Sequence, residues 1–390
     1  MEDKMKKYTE LLRRLVDIPT VSGFEKTAFD GLKALLSGYD FDSVYGDGVG
    51  NVVLVKRAQY QAPSIVLDAH LDEIGFRVSE IGDDGFLTAV TVGGIDPVIL
   101  ASAEVTVWGK EPLRGVVSLK MPEGDERLKK IYVDVGYPAE DLRDLVSIGD
   151  MVSFTSPVTV LGSTEDGAER DVRELGAELS EDVECADVRL MGHAFDDKAL
   201  VAALVCAVDG TPRESLAFDV YVVLSSREEV GGAGAASALG GVGLRTSWSP
   251  RVCEKHPVAA LVTDVNFATA PGVSEDESGR LGGGPMVSLS AVTDRELTDM
   301  ILQKAETLSL PVSPVVEATG TGTNATFVYM LGRGVPCVVV SLPESGMHTA
   351  SECISLKDAA HLIRLLRGVI CDGGISARME QREAEFRCMS

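Results

Sequence analysis

Four short apolar runs, each ending in polar or ionisable residues, constrain this chain more than any other feature. Ile65 to Leu67 leads into DAH, Val220 to Leu224 into SSREE, Ala259 to Thr263 into DVN, and Cys337 to Leu342 into PESGMH. Such β-branched, nearly continuous runs read as strands buried on both faces of an α/β sheet, with helical stretches between them. In open sheets of that kind, ligands bind beyond the carboxyl ends of the strands. The four polar tails should therefore converge on one crevice.

The stretch from Phe76 to Arg189 has a different texture: short alternating segments such as Val105 to Trp108 and Gly115 to Leu119, separated by turns such as Gly82-Asp83-Asp84-Gly85. It reads as a small β-rich domain inserted into the α/β domain. A chain of 390 residues has room for both. The insert ends in an acidic tract, Glu165 to Asp187, with ten acidic and two basic residues, read as a solvated loop or helix face.

Charge narrows the partners. The net charge of −24 repels phosphate backbones and anionic lipid, so no nucleic-acid or membrane partner is expected. No apolar run is long enough to span a bilayer, and Met1 to Val16 reads as an amphipathic helix rather than a signal peptide. Seven cysteines without a C-x-x-C pair suit reduced thiols, and the expected location is the cytoplasm.

The ionisable residues at the strand ends carry the chemistry. A lone histidine such as His70 is more often structural than a ligand. Asp72, two residues on, favours the ligand reading, because metal-bound imidazoles usually have a carboxylate or carbonyl orienting the ring. Asp196 and Asp197, in HAFDDK, could simply cap a helix. Glu228 and Glu229 repel one another unless a cation, or a division of labour between ligand and base, relieves them. Asp264 and His348 each follow a further apolar run. Two histidines with several carboxylates suit zinc, cobalt or manganese. One carboxylate could bridge two ions about 3.5–4 Å apart.

In combination these motifs become specific. The ordered set DAHLDE, AFDDK, EEVG, TDV and MHTASE, with PTVSGFE at Pro19 to Glu25, D-x-x-GN at Asp47 to Asn51 and GGIDP at Gly93 to Pro97, resembles the glutamyl and deblocking aminopeptidases, which include the tetrahedral aminopeptidases. The likeness runs from Leu11 to near Arg367. It implies an α/β, mixed-sheet, two-metal exopeptidase-type catalytic domain over 1–75 plus 190–390, interrupted by a barrel-like dimerisation domain at 76–189. It implies two divalent ions per chain, zinc first, with cobalt or manganese as alternatives. His70 and Asp264 would bind one ion, Glu229 and His348 the other, and Asp196 would bridge them through a cis bond to Asp197. Glu228 would be the general base, with Asp72 grouped beside it as catalytic. Substrates would be short peptides, trimmed from their free amino ends. The insert would build dimers and, through them, a dodecameric shell.

Departures from the family pattern surround this set. Lys198 and Ala233 stand where arginine is usual, Phe267 where histidine is, Ala270 and Asn324 where aspartate is, and Ser345-Gly346 where an Arg-Tyr pair is. These changes bear on specificity and efficiency more than on reaction class. The alternatives are a carboxypeptidase or amide deacylase on the same bimetal site, or a diverged, inactive assembly or peptide-binding protein. The run GTGTNA at Gly320 to Ala325 lacks the acidic partner a dinucleotide site needs, and Ser225-Ser226 lack a nucleophile elbow.

Overall fold

A computed structural model describes residues 2–118, 131–161, 188–240, 256–274, 278–330 and 334–388. The large sheet begins with β1 (Ser43–Gly46), β2 (Val52–Lys56) and β3 (Ser64–His70). The chain then leaves it to form β4 (Gly75–Ile81), β5 (Phe86–Val92), β6 (Glu104–Trp108), β7 (Pro112–Ser118), β8 (Ile131–Asp134) and β9 (Met151–Phe154). These six close a barrel in the order β4-β5-β8-β7-β6-β9. Closure removes the sheet edges, and a separate core of Phe76, Leu87, Val105, Val133 and Val152 fills it.

The chain returns to the large sheet through β10 (Thr159–Leu161) and β11 (Arg189–Gly192), then β12 (Asp219–Ser225), β13 (Ala259–Phe267), β14 (Met286–Ser290), β15 (Ser313–Glu317), β16 (Cys337–Ser345) and β17 (Glu352–Ser355). Strand order is β1-β2-β12-β3-β13-β16-β17-β11-β10, with β14 and β15 branching from β16. The centre, β12-β3-β13-β16, is parallel and the flanks are antiparallel. This is the mixed α/β architecture with an inserted barrel that the sequence led us to expect. The four anticipated runs are the four central strands. The acidic tract lies outside the described residues.

Helix α3 (Ala139–Leu145) packs on the barrel, and two helical layers flank the large sheet, drawn from α1 (Glu2–Val16), α2 (Glu25–Leu36), α4 (Phe195–Val208), α5 (Ala233–Gly240), α6 (Arg295–Thr307), α7 (Ala325–Val328), α8 (Leu356–Ile370) and α9 (Gly373–Cys388). Helix α4 is buried along its whole length. Its alanines let α1 and α8 approach on either side, and an apolar perimeter is what a helix inside a core requires. Ile65, Leu67, Val338 and Val340 face that layer. The alternate residues Val66, Val262 and Val339 face the thin cover of α5 and α7. On that second face, at the strand ends, lies the cleft.

Candidate metal centre

His70 ends β3, and parallel pairing sets Ser225 of β12 beside it. Asp264 lies near the end of β13, level with Ser341 of β16. The turn after β12 supplies Glu228 and Glu229, the loop after β16 supplies His348, and the start of α4 supplies Asp196. Asp196 and Asp197 depart from helical geometry, and the peptide bond between them is cis. Ala194, Arg227 and His348 adopt positive φ without being glycine. Conformations of that kind cost about 1–3 kcal/mol each and survive where the surroundings enforce them.

The side chains converge. Among the described residues, His70, Asp196 and Asp264 form one group of potential ligand atoms, all within 4.8 Å of one another, and Asp196, Glu229 and His348 form a second. Asp196 belongs to both. Its Oδ1 lies 2.8 Å from His70 Nε2, and its Oδ2 lies 3.2 Å from His348 Nε2. His348 Nε2 is also 3.3 Å from Glu229 Oε2.

The far nitrogen of each imidazole is committed to a backbone carbonyl. His70 Nδ1 donates to Asp72 O at 2.9 Å, and His348 Nδ1 donates to Gly94 O at 2.9 Å. With Nδ1 donating, Nε2 carries a lone pair, and it can face a carboxylate oxygen at hydrogen-bond distance only through a shared cation, a proton or a metal ion. Glu229 Oε1 is buried without a hydrogen-bond partner. Burial pushes Glu229 and Asp264 well above the usual carboxylate range, and Asp196 adds to both. Burial pushes Asp196 upward too, but bonds from His348 and His70 hold it well below that range. Cations shared among these oxygens would relieve the crowding, and the mixed nitrogen and oxygen donors fit a pair of divalent ions.

Glu228 lines the same cleft, and burial, reinforced by Asp196 and Asp72 against the pull of His70, pushes it up to about 7. Asp72 is fully buried and its carboxylate does not orient the His70 ring; the Asp72 carbonyl does. The carboxylate instead accepts the backbone N–H groups of Glu228 and Glu229 at 3.0 and 3.3 Å, and the Ser22 hydroxyl at 2.6 Å.

Several residues support the site in ways that the sequence did not assign to them. Asp197 accepts the His70 N–H at 3.0 Å. Glu352 accepts the N–H groups of Phe195 and Asp196 at 2.7 and 3.2 Å, pinning the turn that carries Asp196. Glu73 pairs with Lys198 at 3.2 Å and accepts the Thr20 N–H at 2.6 Å. All three acids lie inside the quoted motifs, so motif membership was the available signal. Among the departures, Asn324 donates to Asp68 and Ser225, and Phe267 is exposed at the cleft. His193 bonds Ser156 O and stands outside both donor groups.

Comparison with known proteins follows the same outline. The sequence profile of the M42 glutamyl aminopeptidases matches residues 50–169 and 176–365. A lysyl aminopeptidase from Pyrococcus furiosus is 24% identical over 369 residues, covering 93% of this chain and 96% of that protein. An aminopeptidase from Desulfurococcus kamchatkensis is 27% identical and superposes with a TM-score of 0.78, covering 94% of this chain and 95% of that one. The Pyrococcus horikoshii TET1 peptidase, 23% identical, shares the fold with a TM-score of 0.70 over 93% of this chain and 99% of its own. That protein can assemble into a tetrahedron or a large octahedral shell.

Proposed function

The chain belongs to the M42 glutamyl aminopeptidase family, and from that premise we propose that it is a two-metal aminopeptidase cutting residues from the free amino ends of short peptides. The observation that carries this reading is the pair of donor groups sharing Asp196, with Glu228 beside them in one cleft. His70 and Asp264 would hold one ion, Glu229 and His348 the other, and Asp196 would bridge them; zinc suits the set, with cobalt or manganese as alternatives. When bound, such ions supply Lewis acidity toward a carbonyl oxygen and make water more acidic.

The chain's own residues do the rest. Glu228 takes the proton of the attacking water and returns it to the leaving amine. Asp72 is a positioning residue: by holding both amide N–H groups of the Glu228-Glu229 pair, it fixes base and ligand relative to one another. The carbonyls of Asp72 and Gly94 hold the two imidazoles with Nε2 toward the cleft.

Zinc-loaded protein should hydrolyse peptides with a free amino end, and acetylation of that end should abolish turnover. Cleavage of the acetylated peptides, or release from the carboxyl end, would replace this reading with a deacylase or a carboxypeptidase. We assign the barrel to self-association into dimers and, through them, a closed shell. It exposes Val90, Ile99, Val116, Tyr132 and Ile148, and exposed apolar surface marks interfaces. Light scattering that shows a monomer at micromolar concentration would refute that assignment.

A further inference from the structure

The cleft is larger than its metal-binding end requires, at about 520 Å³, and it contains a carboxylate that the chemistry above does not use. Glu317, the last residue of β15, lines the cleft, and its Oε2 is buried with no hydrogen-bond partner. Ser288 reaches the same carboxylate by a single side-chain hydrogen bond. Among the described residues no lysine or arginine lines the cleft. A half-buried carboxylate without a cation is costly to leave unpaired. Burial accordingly pushes Glu317 above the usual carboxylate value.

Register explains how this residue comes to share a cleft with the metal donors. Asp264 of β13 pairs with Ser341 of β16, and Ser341 pairs with Met286 of β14. Two residues on, Ser288 pairs with Val315 of β15, and Glu317 follows two residues later. Side chains alternate along strands, so Asp264, Ser341, Val339, Ser288 and Glu317 stand on one face of the sheet. Buried Val339 and half-buried Phe327 also line the cleft. An apolar wall with a carboxylate beyond it complements a side chain that has an aliphatic stem and a cationic head.

We propose that Glu317 is a specificity-determining residue that selects peptides whose first residue is lysine or arginine, by receiving that residue's side-chain cation. This rests on the aminopeptidase reading, which places the first carbonyl at the metal end of the cleft. The α-nitrogen lies within about 2.5 Å of that carbonyl carbon. Strand β15 is three strands from Asp264, about 14 Å between backbones, and Glu317 lies a further four residues along it from Ser313, the position level with Asp264. Glu317 is therefore out of reach of the α-amine, at the far end of a cleft that both residues line.

The test compares lysyl, arginyl, norleucyl and glutamyl peptides of otherwise identical sequence on the zinc-loaded full chain. Norleucine keeps the stem of lysine and lacks its charge. The lysyl peptide should exceed the norleucyl one in kcat/KM by at least about tenfold, the scale of one charge-assisted hydrogen bond. Glu317→Gln should bring that ratio near one, with the loss falling on the lysyl peptide. Glu317→Lys should move the preference toward glutamate. A wild-type ratio near one, or an equal loss on all four peptides in Glu317→Gln, overturns the proposal.

Calorimetric titration with lysine amide and norleucine amide gives a readout that needs no turnover. Tighter binding of lysine amide in the wild type, lost in Glu317→Gln, supports the assignment even if no peptide is cleaved. Equal binding of the two overturns it. Absence of turnover with that binding difference intact would count against the aminopeptidase reading alone.

Discussion

The ion pair between Lys198 and Glu73 should be worth far more than a surface pair, because neither partner has access to water. Lys198 is fully buried and Glu73 is 1% exposed. Lys198 Nζ lies 3.2 Å from Glu73 Oε1 and donates to Ile18 O at 2.9 Å. The same Glu73 oxygen accepts the Thr20 N–H at 2.6 Å. Lys198→Met leaves the Glu73 charge buried and uncompensated, which costs about 3–5 kcal/mol. Glu73→Gln keeps an oxygen for the Thr20 amide but strands the ammonium, with a cost on a similar scale of about 3 kcal/mol.

The double variant removes both charges at once and should cost clearly less than the sum. We expect a coupling energy of at least about 1.5 kcal/mol, the upper half of the range for contacting residues. Urea unfolding of the metal-free protein measures it, since bound metal would add its own stabilisation. The slope of each transition should match the wild type, so that the midpoint reports stability alone. Additive single costs, or a Lys198→Met cost below about 1 kcal/mol, would show that the pair behaves as a solvated contact and would refute this account.

Other perturbations separate the roles at the centre. Glu228→Gln should lower kcat by about 10² to 10⁴-fold while leaving metal content intact, whereas His70→Ala and His348→Ala should each reduce the ions retained after reconstitution, read by elemental analysis. Unchanged stoichiometry in both histidine variants would remove those ligands from the set. Gly94→Ala should weaken metal retention by about 10 to 100-fold in chelator competition, because the added methyl would meet His348 Nδ1 at 3.2 Å. Asp294 caps α6 through the Leu297 N–H and receives two bonds from Arg382, both at 2.8 Å. Burial pushes Asp294 up, but Arg382 brings it below the usual carboxylate value. A depressed folded pKa means stability that is present above the unfolded value and lost as pH falls through the folded one. Asp294→Asn keeps a capping oxygen but loses the charge that Arg382 pairs with, so it should cost about 1 kcal/mol at pH 7 and progressively less below about pH 3.9.

The central sheet was legible because its strands are buried on both faces, and that leaves continuous apolar runs such as Cys337 to Leu342. The residues that the fold gathers into two candidate donor groups each had a structural explanation taken singly, and only the combined motifs and the family resemblance singled them out as a set. What the sequence could not convey was the path of the backbone between motifs. Asp72 suggested a ring-orienting role from its spacing to His70. In the fold the carbonyl does that work, while the carboxylate crosses to the Glu228-Glu229 turn 156 residues away. Glu317 had no signal at all. It ends a short, half-exposed edge strand, and only the pairing of β14 with β16 brings it onto the face that carries Asp264.

The same limit applies to the barrel, which contributes no side chain to either donor group and so read as a module for assembly alone. Its attachment suggests a second role. The chain leaves the large sheet at His70, passes through Asp72 and Glu73, and enters β4 at Gly75. Just after β5 it returns to the cleft at Gly94, whose carbonyl accepts a hydrogen bond from His348 Nδ1. Thus one histidine is oriented by the carbonyl just before the barrel and the other by a carbonyl from within it. A backbone carbonyl carries no sequence signature, because any residue supplies one. The glycine does carry one, since the space beside the imidazole has little room for a Cβ. A change in how the barrel sits on the large domain would therefore move His348 directly.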